Sequence, residues 1–299
     1  MEVNISYDSL PVFEALASKV RIDIIKLLSK NKLSVKEIAQ ELQLSSAIVT
    51  MHIRKLEEAN IIKTERISQK KISSLKIDCI NITFPEKIFN AFDTKEFSIP
   101  IGHYTNYEIQ PTCGLASSND FIGPVDEPKY FMDPQRMDAR ILWFNQGFVE
   151  YQTPNYFSEQ EKIEMIEISL EISSEFPFYN NNWPSDITFY LNDVELGTWT
   201  SPGDYGDIRG KYTPAWYPDN LNQYGLLKTI RITNHTTNID GDTLSNIHLN
   251  DLPLDQDIWT FRIEVKDTAK NIGGCTLFGK EFGNYDQDIH FKIYYSKTN

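Results

Sequence analysis

Cysteine is scarce and scattered: Cys79, Cys113 and Cys275 are the only three in 299 residues. An odd number at wide spacing excludes a disulfide-stapled scaffold and points to a reducing compartment. None sits in a CxxC or beside an HxxxH, the spacings that begin a zinc site. No apolar run approaches the ~20 residues that span a bilayer. The opening Met-Glu-Val-Asn-Ile-Ser-Tyr-Asp has neither a basic n-region nor an apolar h-region, so no secretory signal is expected. GxSxG, HExxH and P-loop signatures are missing too. The expectation is a cytoplasmic protein with no membrane partner, no metal, no cofactor and no catalytic residues.

Basic charge is also short, and its placement matters. The formal net charge is −13. Residues 1–80 carry 13 Lys+Arg against 10 Asp+Glu, while residues 81–299 carry 16 against 32. Within 21–76 the balance is 12 to 6. A basic head on an acidic body suits a chain in which only the head meets phosphate. An acidic domain fused to a near-neutral one gives the same numbers, so charge does not decide.

The head reads as helices. Phe13, Leu16, Ala17, Val20, Ile24, Leu27 and Leu28 recur at three- and four-residue steps, with Ser18 and Asp23 as points of interruption. Ser34 stands three residues before Glu37, a capping-box pair, and Val35, Ile38, Ala39 and Leu42 form the next stripe. Ser45 or Ser46 caps a third helix with Val49, Ile53 and Leu56 on one face, and Asn60 stops it. Two β-prone runs around Ser68-Gln69-Lys70-Lys71 then read as a hairpin. A short helix is expected over residues 85–92 and a linker over residues 97–102, where Pro100 and Gly102 break the pattern.

Residues 13–28, the helix over 33–42 and the run Val49-Thr50-Met51-His52-Ile53-Arg54-Lys55-Leu56 together resemble the ArsR/SmtB family of bacterial repressors over about residues 10 to 78. The resemblance implies a winged helix-turn-helix that reads a double-stranded DNA operator as a homodimer. It implies pairing through the first helix and a helix after the wing, for which Leu10, Phe13, Ile88, Phe89 and Phe92 are available; these could equally pack on the rest of the chain. Ser46, Thr50 and Arg54 are the candidates on the recognition helix, with His52 either a contact or a packed histidine. Lys55, Lys70 and Lys71 are candidates for phosphate. Metal-sensing relatives use cysteines where this chain has Val35-Lys36, and histidines on a final helix where residues 85–93 have none. The faint calcium-like loop at 238–242 lacks its closing Glu and reads as a turn.

Beyond residue 103 strict alternation takes over, as in Ile166/Ile168/Leu170/Ile172, Ile187/Phe189/Leu191, Trp259/Phe261/Ile263/Val265 and Ile289/Phe291/Ile293/Tyr295. The fold expected is α+β multidomain: a winged helix-turn-helix over 1–80, a short helix and linker over 81–102, and an antiparallel, jelly-roll-like β-sandwich over 103–299. With metal ligands missing, control falls to the sandwich. Its run 199–217 reads as a long aromatic loop, and aromatic rings beside planar polar groups suit a saccharide. Trp183, Trp199, Asp204, Asp207, Arg209, Tyr212 and Trp216 are the effector-binding candidates, with Arg140 and Trp143 secondary. Equally, these aromatics could plug the sandwich end. Residues 111–115 read as a compact turn under the ligand or a buried bend. The function expected is a DNA-binding repressor or activator controlled by a small molecule. A glycan-active enzyme with a DNA-binding domain, or a regulator whose sandwich serves only oligomerisation, are the alternatives.

Overall fold

The computed structural model describes residues 1–67, 70–83 and 92–297. The chain divides into two compact units, Met1–Phe89 and Asn90–Asn299.

The smaller unit contains β1 (Glu2–Asn4), α1 (Leu10–Leu16), α2 (Lys19–Leu28), β2 (Leu33–Ser34), α3 (Val35–Glu41), α4 (Ser46–Glu58), β3 (Ile62–Ile67), β4 (Lys70–Leu75) and β5 (Asn81–Thr83). The first apolar stripe is two helices rather than one. Ser18 adopts extended backbone (φ −153°, ψ 123°) and breaks the run, while Asp23 lies inside α2. Ser34 and Glu37 form the expected reciprocal capping box at α3. Ser45 caps α4 by accepting the Ile48 amide. Gln43 (φ 54°) and Asn60 (φ 58°) take the left-handed conformation that ends α3 and α4. One core joins the helices: Ile24, Ile38, Val49 and Leu56 are fully buried, and Ala15, Leu28, Ile53, Ile61 and Ile62 nearly so. Burying each large aliphatic side chain contributes about 1.5–3 kcal/mol. Strand β4 pairs with both β3 and β2, so the hairpin is anchored beside the start of α3.

The larger unit contains β6 (Asp93–Ile99), β7 (Asn106–Ala116), β8 (Ile141–Pro154), β9 (Glu161–Ser173), β10 (Ser185–Leu191), β11 (Val194–Ser201), β12 (Leu226–Ile232), β13 (Thr237–Ile239), β14 (Asp242–Ser245), β15 (Ile258–Val265), β16 (Cys275–Phe278) and β17 (Ile289–Lys297). Every pairing among them is antiparallel. One layer runs β7-β8-β15-β10-β11, the other β6-β17-β9-β12-β13-β14, and β16 pairs with both β8 and β9 to join them. At the far edge Ser245 donates to the Leu196 carbonyl (2.6 Å), so the β-sandwich is nearly closed. The alternating residues on β9, β10, β15 and β17 meet in its core, where Phe261 packs on Phe189 and Phe291.

Three expectations need correction. Residues 97–102 are not a linker. Phe97 and Ile99 continue strand alternation in β6, Phe97 stacks on Phe291 at 4.9 Å, and the β unit therefore begins before residue 103. The breakers Pro100 and Gly102 follow that strand and hid it. Trp199 is not in a loop but in β11, paired with Ile187. Residues 111–115 are not a turn but part of β7, with a bulge between Gln110 and Cys113. The helix expected over residues 85–92 lies, Phe92 apart, outside the described residues. The loop over 238–242 is the expected turn, Asp240 and Gly241 both having positive φ between β13 and β14.

Candidate nucleic-acid interface and effector cleft

Helix α4 presents two faces. Val49, Ile53 and Leu56 turn inward, which fixes Ser46, Ala47, Thr50, Met51, Arg54 and Lys55 on the solvent side. Thr50 Oγ1 donates to the Ser46 carbonyl (2.7 Å), the usual resting bond of an exposed helical threonine. Arg54 reaches Glu58 at 3.0 Å and Lys55 reaches the same carboxylate at 3.7 Å. The Arg54 side chain is 80% exposed, so both pairs are weak surface contacts that an incoming phosphate can displace.

His52 is half-buried instead of facing out. Its Nδ1 lies 3.5 Å from Arg21, whose guanidinium donates to the carbonyls of Ala15 (2.7 Å) and Glu14 (2.5 Å). Burial, then the Arg21 charge, hold the His52 pKa below its ordinary value. His52 thus helps dock α4 against the α1–α2 junction.

The hairpin β3–β4 sets Arg66 directly opposite Lys71, both exposed. Like charges facing across two strands repel, and a phosphate placed between them would attract both and offset that repulsion. Arg66 was overlooked in the sequence because it sits within the apparent strand and not at its polar tip. Pairing it in register with Lys71 was the available signal. Lys70 lies in β4, with its side chain outside the described residues, and Ser68 and Gln69 fall outside them altogether.

Most of the expected effector residues brace the β unit. Asp204 is fully buried and accepts the Phe176 amide (3.1 Å) and the Ser173 hydroxyl (3.5 Å). Asp207 accepts from Tyr224 (2.8 Å). Arg209 donates to the Pro214 carbonyl (2.7 Å) and the Tyr217 carbonyl (3.1 Å) and pairs with Asp219. Trp216 donates to the Ser118 carbonyl (2.6 Å) and packs on Phe121. Tyr212 lies under Lys211 and Trp199 under Lys228. Trp183 packs edge-on against Phe176. Arg140 lines a separate, polar hollow with Ser117 and Asp138, and it faces Glu281 at 3.6 Å. Polar groups that the sequence offered to a ligand thus bond largely to other segments of the β unit.

Of these residues only Trp143 lines a second, more apolar cleft, a cavity of about 460 Å³. Its ring lies over Gly114, where a Cβ would stand 2.2 Å from it, so only glycine fits below. Phe121, Phe176, Phe178 and Tyr217 supply further aromatic walls. Glu175 forms part of the lining, buried and accepting from Thr112 (3.1 Å), Thr276 (3.2 Å) and Asn222 (3.4 Å). Burial, reinforced by the Asp204 charge, pushes its carboxyl well above the usual carboxylate range. Asp126 joins the lining, with Oδ1 accepting the Cys113 amide (2.9 Å). Glu175 and Asp126 were missed because their partners lie on other strands and loops; no local motif announces them.

Comparison with known proteins bears on the smaller unit. Residues 18–64 match the model of the bacterial regulatory protein arsR family. An uncharacterised HTH-type transcriptional regulator of Methanocaldococcus jannaschii is 35% identical over 60 residues, 20% of this chain and 63% of that protein's length. The chain therefore spans less than two thirds of this curated relative. HlyU from Vibrio cholerae N16961 is 26% identical over 23% of this chain and 74% of its own, with a TM-score of 0.22. The homodimeric winged helix-turn-helix domain of a possible ArsR-family regulator from Mycobacterium bovis is 20% identical over 23% of this chain and 65% of its own, with a TM-score of 0.23. With the α3–α4 geometry above, the family match shows that residues 18–64 are an ArsR-family helix-turn-helix domain, followed in this chain by a large antiparallel β unit.

Proposed function

We propose that this protein is a cytoplasmic transcriptional regulator, repressor or activator, that binds double-stranded operator DNA as a homodimer, with α4 in the major groove and the β3–β4 wing on the backbone. The observation that carries this reading is the ArsR-family match over residues 18–64, whose α4 leaves Ser46, Thr50, Arg54 and Lys55 exposed. Leu10, 44% exposed on α1, is available for pairing. We place the controlling small molecule in the Trp143 cleft and not on the 199–217 segment, whose polar side chains are largely engaged with other segments of the β unit. Fluorescence anisotropy of a labelled duplex titrated with the full chain tests the reading. Affinity should fall linearly on logarithmic axes as salt rises; salt-independent binding, or none at low salt, sinks it.

A second reading, a glycan-acting enzyme, has one observation in its favour. Glu175, whose carboxyl pKa burial raises, shares an aromatic cleft with Asp126, and glycosidases work with a pair of carboxyl groups of which one has a raised pKa. Turnover across a nitrophenyl glycoside panel, lost in Glu175→Gln, would establish it.

A further inference from the structure

The Trp143 cleft has a consistent chemical character. Among the described residues, no lysine, arginine or histidine lines it. The charges that act most on Glu175 are those of Asp204 and Asp126. The field of Glu175 in turn reaches Tyr217, Cys113 and Cys275. All five are acids, so none of them can neutralise the carboxyl when it ionises. An anionic ligand would find no cation among these lining residues to pair with.

The hydrogen-bonding groups are just as one-sided. Thr112 and Asn222 donate to Glu175, and the Tyr217 hydroxyl donates to Asn222 (2.8 Å). These donors are committed inward. What Glu175 and Asp126 offer a ligand is acceptor capacity. A sugar ring carries several hydroxyls that need acceptors and donors alike, and burying them unpaired is costly. The mouth is apolar as well: Val125 and Phe178 are 50% and 56% exposed. Exposed apolar side chains at the rim of a cavity mark a surface that an apolar group can cover.

We propose that the cleft binds a small organic cation, an aryl- or alkylammonium whose N–H groups meet Glu175 and Asp126 and whose apolar body meets Trp143, Phe121 and Phe178. The aromatic faces add cation–π attraction, strongest at tryptophan, and the cavity of about 460 Å³ lies within the common range for small-molecule sites. This rests on the reading above only for the place of the effector; the chemistry of the cleft stands independently of DNA.

The test is calorimetric titration of the full chain, without DNA, with 2-phenylethylamine and tryptamine. Their controls are 2-phenylethanol, 3-phenylpropionate and methyl α-glucoside. At least one amine should bind below about 1 mM. The alcohol should bind about tenfold more weakly for lack of the charge, and the carboxylate and glucoside not measurably. Asp126→Asn, exposed and able to keep the Cys113 bond, should weaken the amine about tenfold with unchanged circular dichroism. Glu175→Gln should act in the same direction, and Asp126→Asn keeps the test valid if that buried variant does not fold. Overturning results are no amine binding by about 10 mM, equal binding of amine and alcohol, indifference to Asp126→Asn, or tighter binding of the glucoside. An amine that fills the cleft without changing DNA affinity counts against effector control alone and leaves this assignment standing.

Discussion

Replacing Lys71 by threonine should move stability and DNA binding in opposite directions. Lys71 faces Arg66 across the wing, both exposed, in an antiparallel register. Opposed like charges cost a hairpin roughly 0.2–1 kcal/mol, and threonine is a better strand former than lysine. Lys71→Thr should therefore stabilise the smaller unit by a few tenths of a kcal/mol up to about 1 kcal/mol. On DNA the same change removes one phosphate partner. Each lost phosphate contact lowers the slope of log K against log salt by about 0.9, equal to about 3.5-fold in salt sensitivity between 50 and 200 mM. Anisotropy titrations at four salt concentrations give the slope. Stability is read from the helical signal at 222 nm, because among the described residues every α-helix lies between Leu10 and Glu58. A slope unchanged by the substitution, or a destabilised unit, would refute the assignment of the wing as a phosphate clamp.

Other outcomes follow from the same contacts. Ser34→Ala removes half of the α3 capping box and should cost about 1 kcal/mol, read as an earlier loss of the 222 nm signal. Gly147→Ala should abolish soluble expression: Gly147 has φ +102°, and a Cβ there would stand 1.9 Å from the Glu108 carbonyl oxygen. For pH, the Glu175 and Asp204 pKa values are raised by burial. Their protonated forms are therefore favoured by folding, and their contribution is full below the unfolded carboxylate range near pH 4. That contribution is lost as pH rises through the folded values, so Glu175→Gln should flatten the decline in β-unit stability measured by urea unfolding between about pH 5 and 8. A decline that stays as steep in the variant contradicts the assignment.

The sequence made local features legible and long-range ones obscure. The Ser34–Glu37 cap, the Val49/Ile53/Leu56 face and the alternation in β9, β10, β15 and β17 depend on neighbours a few residues apart, and all are present. The β10–β11 turn at Asn192-Asp193 is local in the same way, since both residues tolerate positive φ. The cleft was not. Glu175 takes its character from Thr112, Asp204, Asn222 and Thr276 on distant segments. Conversely, the 199–217 segment looked like a binding loop because its aromatic and charged residues are conspicuous. Yet Arg209 and Asp219, and Tyr224 and Asp207, bond to each other. Composition reveals which groups are present; only the fold decides whether they face one another or a ligand.

The central claim is that residues 18–64 read DNA in this chain. Selection of a random duplex library by the intact protein, followed by sequencing, tests it most directly. One enriched motif is expected, with two half-sites about one helical turn, roughly 10 base pairs, apart, and with enrichment lost in Arg54→Ala. A library that emerges unenriched, or a motif indifferent to Arg54→Ala, would contradict the assignment of α4 as the reading helix.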